Sequence, residues 1–183
     1  ECMDPFALPD AALGDYLARH IDGFAGPLTS QKFKGGQSNP TYLLSAASGN
    51  YVLRRKPPGA LLASAHAVDR EFRVLTALAG SDVPVARGLH MCSDDSVIGS
   101  MFYVMSHEPG RIFWDPSLPE IERDRRRDFY GEIVRVMAAL HQIDVAAVGL
   151  SDFGKPGNYF ARQLKRWSEQ YRLSEIGRIE PME

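Results

Sequence analysis

The period of the hydrophobic pattern changes near residue 106, and this change limits the folds that the chain can adopt. Up to that point the apolar residues lie in short runs of β-forming types, separated by turn-forming residues, which predicts strands. Beyond residue 110 they recur at spacings of three and four, which predicts helices. The chain therefore divides into a β-rich lobe, residues 1–106, and a second part, residues 107–183, that comprises a hinge and the beginning of a helical lobe.

The β-rich lobe contains two predicted helices among five predicted strands. Leu13, Leu17 and Ile21 share one face of a helix over residues 10–21, for which Asp10 is the expected N-cap. A second helix, which ends at Gly80, carries its apolar stripe on Val68, Phe72, Leu75 and Leu78. The predicted strands cover residues 28–33, 41–46, 51–55, 84–92 and 101–106. One helix packed among five mainly antiparallel strands predicts an α+β fold and not a βαβ repeat.

Two further helices are predicted in the helical part. Ser117 and Glu120 have the spacing of a capping box, which predicts a helix start. The stripe that follows it, Phe129, Ile133, Val136, Met137 and Leu140, ends near His141, which we expect as a hydrogen-bonded core residue. The last helix carries Phe160, Leu164, Trp167 and Tyr171 at helical spacing, and Trp167 and Tyr171 are expected in the core.

Composition excludes several classes of protein. The net charge of −2 over 183 residues gives no electrostatic footprint for nucleic acid or for an anionic membrane. No apolar run approaches the roughly 18 residues of a membrane span, and the N-terminus lacks the features of a signal peptide. The only cysteines, Cys2 and Cys92, imply no disulfide framework, so a reducing cytoplasm is the expected location. No cluster has the spacing of a zinc site.

A glycine-rich turn between two predicted strands is the first candidate site. It reads Gly35-Gly36-Gln37-Ser38-Asn39. Paired glycines permit positive φ angles and let the backbone approach a ligand closely. Successive backbone N–H groups, together with the side chains of Ser38 and Asn39, could bind phosphate oxygens. An ordinary hairpin turn would have the same composition.

Two charged residues on neighbouring elements form the second candidate site. Arg54 lies on the strand that follows the glycine-rich turn, and Glu71 lies on the apolar stripe of the next helix, where an unpaired charge is costly. A strand cation held by a helix carboxylate positions nucleotide phosphates in kinases. Arg55 and Lys56 follow Arg54, so the basic residue that points inward is not fixed by the pattern. Glu71 could equally extend into solvent or pair with a nearby arginine.

The glycine turn, strand cation, helix carboxylate, two strands and hinge follow one another in the order of a protein-kinase small lobe. This ordered set resembles the aminoglycoside-phosphotransferase and choline-kinase-like superfamily, which has a protein-kinase-like fold. It is especially similar to the branch related to the kinase-like domains of some acyl-CoA dehydrogenases. The residues that carry the resemblance are 33–42, 51–57, 70–72, 102–105, 110–111 and 139–144.

The resemblance implies transfer of the γ-phosphate of ATP, with Mg²⁺, to a hydroxyl group of a small molecule. It places the turn that contains Gly35, Gly36, Gln37, Ser38 and Asn39 over the phosphates. Arg54 takes the position of the phosphate-binding lysine or arginine, and Glu71 orients it. The backbone of Met105, Ser106, His107 and Glu108 forms the hinge that binds adenine, although branch members often have an acidic residue where Ser106 stands.

The catalytic loop of the resembled family, His-Gly-Asp with a downstream Asn and a later metal-binding Asp, is expected beyond residue 183. No catalytic or metal-binding residue is therefore assigned within this chain, and the chain alone is expected to be inactive. A non-catalytic nucleotide-binding regulatory module of the same fold is the alternative. A purely structural interaction domain also remains open.

Two local motifs imitate phosphate or metal sites. Asp152-Phe153-Gly154 spells the kinase metal motif, but it precedes any catalytic loop and is better interpreted as a turn. Gly149, Gly154 and Lys155 match most of a P-loop, which would make the protein a nucleotide hydrolase. Pro156 stands where that motif needs a Ser or Thr hydroxyl for Mg²⁺, which disfavours this interpretation.

Overall fold

A computed structural model describes residues 6–34, 39–57, 67–154 and 157–174. The β-rich lobe contains helices α1 (Asp10–His20) and α2 (Val68–Leu78). Its strands are β1 (Thr29–Lys32), β2 (Thr41–Ala46), β3 (Gly49–Arg55), β4 (Gly88–Cys92) and β5 (Phe102–Ser106). Helices α3 (Arg126–His141) and α4 (Tyr159–Ser174) follow.

The five strands form one antiparallel sheet in the order β1-β2-β3-β5-β4. β3 and β5 are neighbours in this sheet, and both are inner strands. Their register places Arg54 opposite Tyr103 and Leu53 opposite Val104. Directly opposed residues of an antiparallel pair point to the same face, and successive residues point to opposite faces. Arg54 and Tyr103 therefore share one face, and Leu53 and Val104 share the other.

Helix α1 covers the Leu53 face and forms the main core with it. Its Leu13 and Leu17 are fully buried, as are Leu53 and Val104 from the two inner strands. Full burial of each such side chain stabilises the fold by about 1.5–3 kcal/mol. The four-residue spacing that predicted α1 is confirmed, because it places both leucines against the sheet.

Helix α2 lies over the opposite, Arg54-bearing face. The ring of Phe72 on α2 packs against Tyr103 at 5.6 Å between centroids. Phe72 also lies over Gly88 at the start of β4, so closely that a Cβ on Gly88 would stand 2.8 Å from Phe72 Cε2. The absence of a side chain at Gly88 therefore lets α2 approach the sheet and brings Glu71 within reach of Arg54. The α+β prediction and the five-stranded antiparallel sheet are confirmed.

The predicted N-cap at Asp10 is wrong. Asp10 is the first residue of α1, and Pro9 occupies the cap position without a side-chain hydrogen bond. The carboxylate of Asp10 instead accepts hydrogen bonds from the backbone N–H of Ser30 at 3.0 Å and from its hydroxyl at 2.5 Å. A carboxylate in the first turn of a helix still complements the helix dipole. Here it also ties α1 to β1.

The predicted capping box at Ser117 and Glu120 is also wrong, because α3 begins only at Arg126. The backbone N–H of Ser117 donates to the carboxylate of Asp115 at 2.8 Å, which makes a local turn. Leu118 then adopts a φ of 52°, which is incompatible with a right-handed helix. Local side-chain bonds of this kind compete with helix formation.

The chain separates into two compact units, Glu1–Asp144 and Val145–Glu183. The apolar face of α3 is only partly covered by the described residues of its unit, since Ile133 and Met137 are each about half exposed. His141 is exposed and Trp167 is 61% exposed, so their predicted places in a core are wrong for the described residues; Tyr171 is half-buried. None of the helices in these residues is long and apolar enough to cross a membrane.

We expect Gly88→Ala to destabilise the protein by about 1–3 kcal/mol, because the new methyl group must displace the Phe72 ring between α2 and β4. Chemical denaturation of the complete protein measures the loss. Gly131→Ala on α3 is the matched control, because its Cβ would enter open space and alanine favours a helix. A loss for Gly88→Ala no larger than that for Gly131→Ala would contradict the close packing.

A cluster of aromatic and imidazole side chains joins α1 to β4. The hydroxyl of Tyr16 shares a hydrogen bond of 3.0 Å with Nε2 of His90. His20 stacks on Tyr16 at 4.0 Å between centroids and lies 4.9 Å from the His90 ring. Burial, and then the positive charge that His20 can carry, lower the pKa of His90. His90 therefore resists protonation in the folded protein.

Stability should decrease as the pH falls from 7 to 5, because the unfolded chain takes up a proton on His90 more readily than the folded chain. His90→Gln should remove part of this pH dependence while keeping a polar partner for Tyr16. Thermal unfolding midpoints of the complete protein at a series of pH values test this. His141→Gln, at an exposed position on α3, is the control. If the unfolding midpoints of the parent and of His90→Gln changed by the same amount with pH, His90 would not contribute to the pH dependence of stability.

Candidate functional site

The predicted ion pair between Arg54 and Glu71 is formed. Nε of Arg54 donates to Oε2 of Glu71 at 2.6 Å, and Nη2 donates to Oε1 at 3.4 Å. The side chains of Arg54 and Glu71 are 32% and 35% exposed. Glu71 thus does not extend freely into solvent, and α2 turns it toward the sheet. β3 and α2 together fix the geometry of the site.

Two uncharged donors complete the environment of the Glu71 carboxylate. Nδ2 of Asn39 donates to Oε1 at 2.8 Å, and the hydroxyl of Tyr103 donates to Oε2 at 3.2 Å. Each carboxylate oxygen therefore accepts from one neutral group as well as from Arg54. Bonds to a charged acceptor are stronger than those between neutral groups.

The outer side of the Arg54 guanidinium is less fully occupied. A guanidinium has five N–H donors, and Glu71 accepts from Nε and Nη2. Nη1 donates to the hydroxyl of Thr41 at 3.4 Å, which is a long contact. Counted over the described residues, N–H groups remain on both terminal nitrogens. The arrangement can bind an anion with two or more oxygens, such as a phosphate group.

Of the predicted glycine-rich turn, the structure describes only its last residue. Gly35, Gly36, Gln37 and Ser38 lie outside the described residues. Asn39 is 3% exposed, and its amide is directed to Glu71. Its carbonyl accepts from Thr41 at 3.1 Å, at the start of β2. Asn39 therefore connects the end of this turn to the ion pair.

The predicted hinge begins inside the sheet. Met105 and Ser106 are the last residues of β5, and the N–H of Ser106 donates to the carbonyl of Arg87 at 2.9 Å. The Ser106 hydroxyl donates to the Glu108 carboxylate at 2.5 Å. His107 and Glu108 lie beyond the strand, and their backbone groups make no hydrogen bond with another described residue.

The structure settles which basic residue of β3 faces α2. Arg54 does so, while Arg55 is buried on the opposite face, with 3% exposure. Nε of Arg55 donates to the hydroxyl of Ser100 at 3.0 Å, which attaches the end of β3 to the loop before β5. Lys56, the residue after β3, is half-buried.

Tyr103 and Thr41 were not among the predicted site residues. Tyr103 lies in an apolar, β-forming run, which favours a core position, and it is indeed 3% exposed. The available signal was its hydroxyl, because a buried tyrosine hydroxyl usually needs a hydrogen-bond partner. Burial and the negative charge of Glu71 raise the pKa of Tyr103, so its hydroxyl stays protonated and remains a donor.

Neither the Asp-Phe-Gly motif nor the partial P-loop motif forms a second phosphate or metal site among the described residues. Residues 151–154, which include Asp152-Phe153-Gly154, lie in turns and bends, as expected. Gly149 lies in a turn after α3, whereas a P-loop follows a strand. Lys155 and Pro156 lie outside the described residues.

An antiparallel five-stranded sheet, with a strand arginine held by a glutamate of the helix that packs on it, is the architecture of a protein-kinase-like phosphotransferase fold. The sequence agrees with this class, since a family model described as "Phosphotransferase enzyme family" matches residues 29–183. The chain belongs to that family.

A solved structure from Ralstonia eutropha JMP134, provisionally named an aminoglycoside phosphotransferase, is similar to this chain. The two are 48% identical with a TM-score of 0.79, over 95% of this chain and 50% of the other. Acyl-CoA dehydrogenase family member 10 of Mus musculus is 45% identical over 178 residues, which is 97% of this chain and 17% of the relative. The human family member 11 is 39% identical over 178 residues, which is 95% of this chain and 23% of the relative.

The chain thus spans about a fifth of the length of these two curated relatives. Their names describe the whole relatives, whereas the similarity covers only a part of each. The family membership of this chain rests on the matched residues themselves.

We expect Glu71→Gln to destabilise the protein by about 1–3 kcal/mol, because the three residues that donate to this carboxylate lose a charged acceptor. Urea denaturation of the complete protein measures this loss. Asp69→Asn on the same helix makes the same change in charge at an exposed position and should cost no more than about 1 kcal/mol. If both variants lost the same free energy of unfolding, the three hydrogen-bonding partners of Glu71 would not stabilise the fold.

Proposed function

We propose that this chain is the ATP-binding part of a phosphotransferase that moves the γ-phosphate of ATP to a hydroxyl group of a small molecule. The observation that carries the proposal is the ion pair between Arg54 and Glu71, in a chain of the phosphotransferase family. The carboxylate holds the guanidinium from one side, which leaves terminal N–H groups for a phosphate on the other. A cation fixed in this way needs no reorganisation when the nucleotide binds.

The proposed hinge residues are suited to bind the nucleoside part of ATP. The backbone groups of His107 and Glu108 are free of hydrogen bonds to other described residues, so they are available to the edge of a purine. Met105 and Ser106 stay in the sheet and anchor this segment. The turn that contains Gly35, Gly36, Gln37, Ser38 and Asn39 is proposed to bind the phosphates, as the family resemblance implies.

Phosphotransferases of this family generally use Mg²⁺ together with ATP. The described residues contain no group of three or more His, Cys, Asp or Glu side chains that could hold a metal ion. The described residues therefore supply no binding site for the metal, and none of them is proposed as a catalytic base. Our proposal for the chain is nucleotide binding and orientation, with the transfer itself completed by the whole protein.

The lobe boundary near residue 106 and a cytoplasmic location are part of the same proposal. A small-molecule kinase draws on the ATP of the cytoplasm, and the chain has only two cysteines. The alternative is a regulatory module of the same fold that binds nucleotide without transferring phosphate. Release of ADP in the presence of a hydroxyl acceptor would distinguish the two.

We expect the complete protein to bind Mg·ATP and Arg54→Ala to weaken this binding by about 10- to 100-fold, because a cation that contacts the phosphates is lost. Isothermal titration with Mg·ATP gives the affinity, and a thermal shift gives an independent measure. Arg127→Ala, an exposed arginine on the first turn of α3, controls for the change in net charge. The proposal fails if the folded parent does not bind Mg·ATP, or if the two variants bind it equally well.

A further inference from the structure

The carboxylate of Glu71 is held from two directions besides Arg54. Asn39 reaches Oε1 from the segment between β1 and β2, and Tyr103 reaches Oε2 from β5. Asn39 and Tyr103 are each 3% exposed, whereas Arg54 and Glu71 are about one-third exposed. The buried side of the ion pair is therefore made of neutral donors, and its open side is the guanidinium.

Tyr103 is itself rigidly placed. It stands directly opposite Arg54 in the register of the two inner strands, and its ring packs on Phe72, the residue after Glu71. The strand and the helix thus both fix its hydroxyl. Asn39 is fixed by its buried position and by the hydrogen bond from Thr41 to its carbonyl.

We propose that Asn39 and Tyr103 are positioning residues that set the orientation of the Arg54 guanidinium through Glu71. This inference rests on the proposed function, because the orientation matters for the binding of the nucleotide phosphates. A carboxylate with a single partner can rotate about its last torsion at little cost. A neutral donor on each oxygen fixes its plane, and the paired guanidinium must then adopt the matching plane.

The chemistry of the two donors suits this role. Neither side chain carries a charge, so neither competes with Arg54 for the carboxylate as a second cation would. The high pKa of Tyr103, caused by burial and by the neighbouring Glu71, keeps its hydroxyl protonated throughout the physiological range. Both donors therefore hold the carboxylate without changing the net charge that the phosphates meet.

Tyr103→Phe in the complete protein tests the inference, because it removes the hydroxyl and keeps the ring that packs on Phe72. We expect the dissociation constant for Mg·ATP to rise by about three- to tenfold, with Asn39→Ala acting in the same direction. In an Arg54→Ala background the further effect of Tyr103→Phe on this constant should vanish, since the role passes through Arg54. Tyr16→Phe, which removes a hydroxyl from the opposite face of the sheet, is the matched control.

The ¹⁵Nε–¹Hε NMR resonance of Arg54 reports its pairing with Glu71 without any nucleotide. It should shift in Tyr103→Phe and in Asn39→Ala, and stay in place in Tyr16→Phe. If both site variants keep the parent affinity and the parent resonance while Arg54→Ala loses binding, the inference is wrong and the proposed function stands. If the parent binds no Mg·ATP, the proposed function is wrong, and an unchanged Arg54 resonance in the two variants overturns the positioning role as well.

Discussion

The β-rich lobe depends on a charge that lies where an apolar residue would otherwise stand. Glu71 occupies the stripe of α2 that packs on the sheet, and a carboxylate there needs partners. Arg54 on β3 provides the opposite charge, and Asn39 and Tyr103 provide neutral donors. Because Arg54 and Glu71 are about one-third exposed, solvent screens part of the attraction between their charges. These hydrogen bonds favour the rotation of α2 about its axis that turns Glu71 toward the sheet.

The parts of the lobe that depend on local periodicity could be predicted from the sequence. The four-residue spacing in α1 and the runs of β-forming residues in β2 and β3 correctly predict these elements, because both signals are local in the sequence. The pairing of Arg54 with Glu71 could be proposed from the sequence, since a carboxylate on the apolar stripe of a helix needs a partner, but Arg55, Lys56 or a nearby arginine could have supplied the cation equally well. Its proposed task, the binding of phosphate, still depends on the family resemblance.

Features set by distant contacts could not be predicted in this way. Tyr103 meets Glu71 only because β5 lies beside β3, although β4 comes between them in the chain. Asp10 and Ser117 have ordinary capping sequences, but Asp10 finds a partner on β1 and Ser117 one on Asp115. His141 and Trp167 are exposed for a similar reason. Helical spacing shows which residues share a face of a helix, but not whether another element covers that face.

The two-sided character of β3 restricts how this lobe can vary among its relatives. Leu53 belongs to the core under α1, and the next residue, Arg54, belongs to the site under α2. Gain or loss of a single residue within the strand would exchange these faces, burying a guanidinium among leucines and leaving Glu71 beside an aliphatic chain. We therefore expect length changes in this region to fall in the connections at either end of the strand, or to come in steps of two residues.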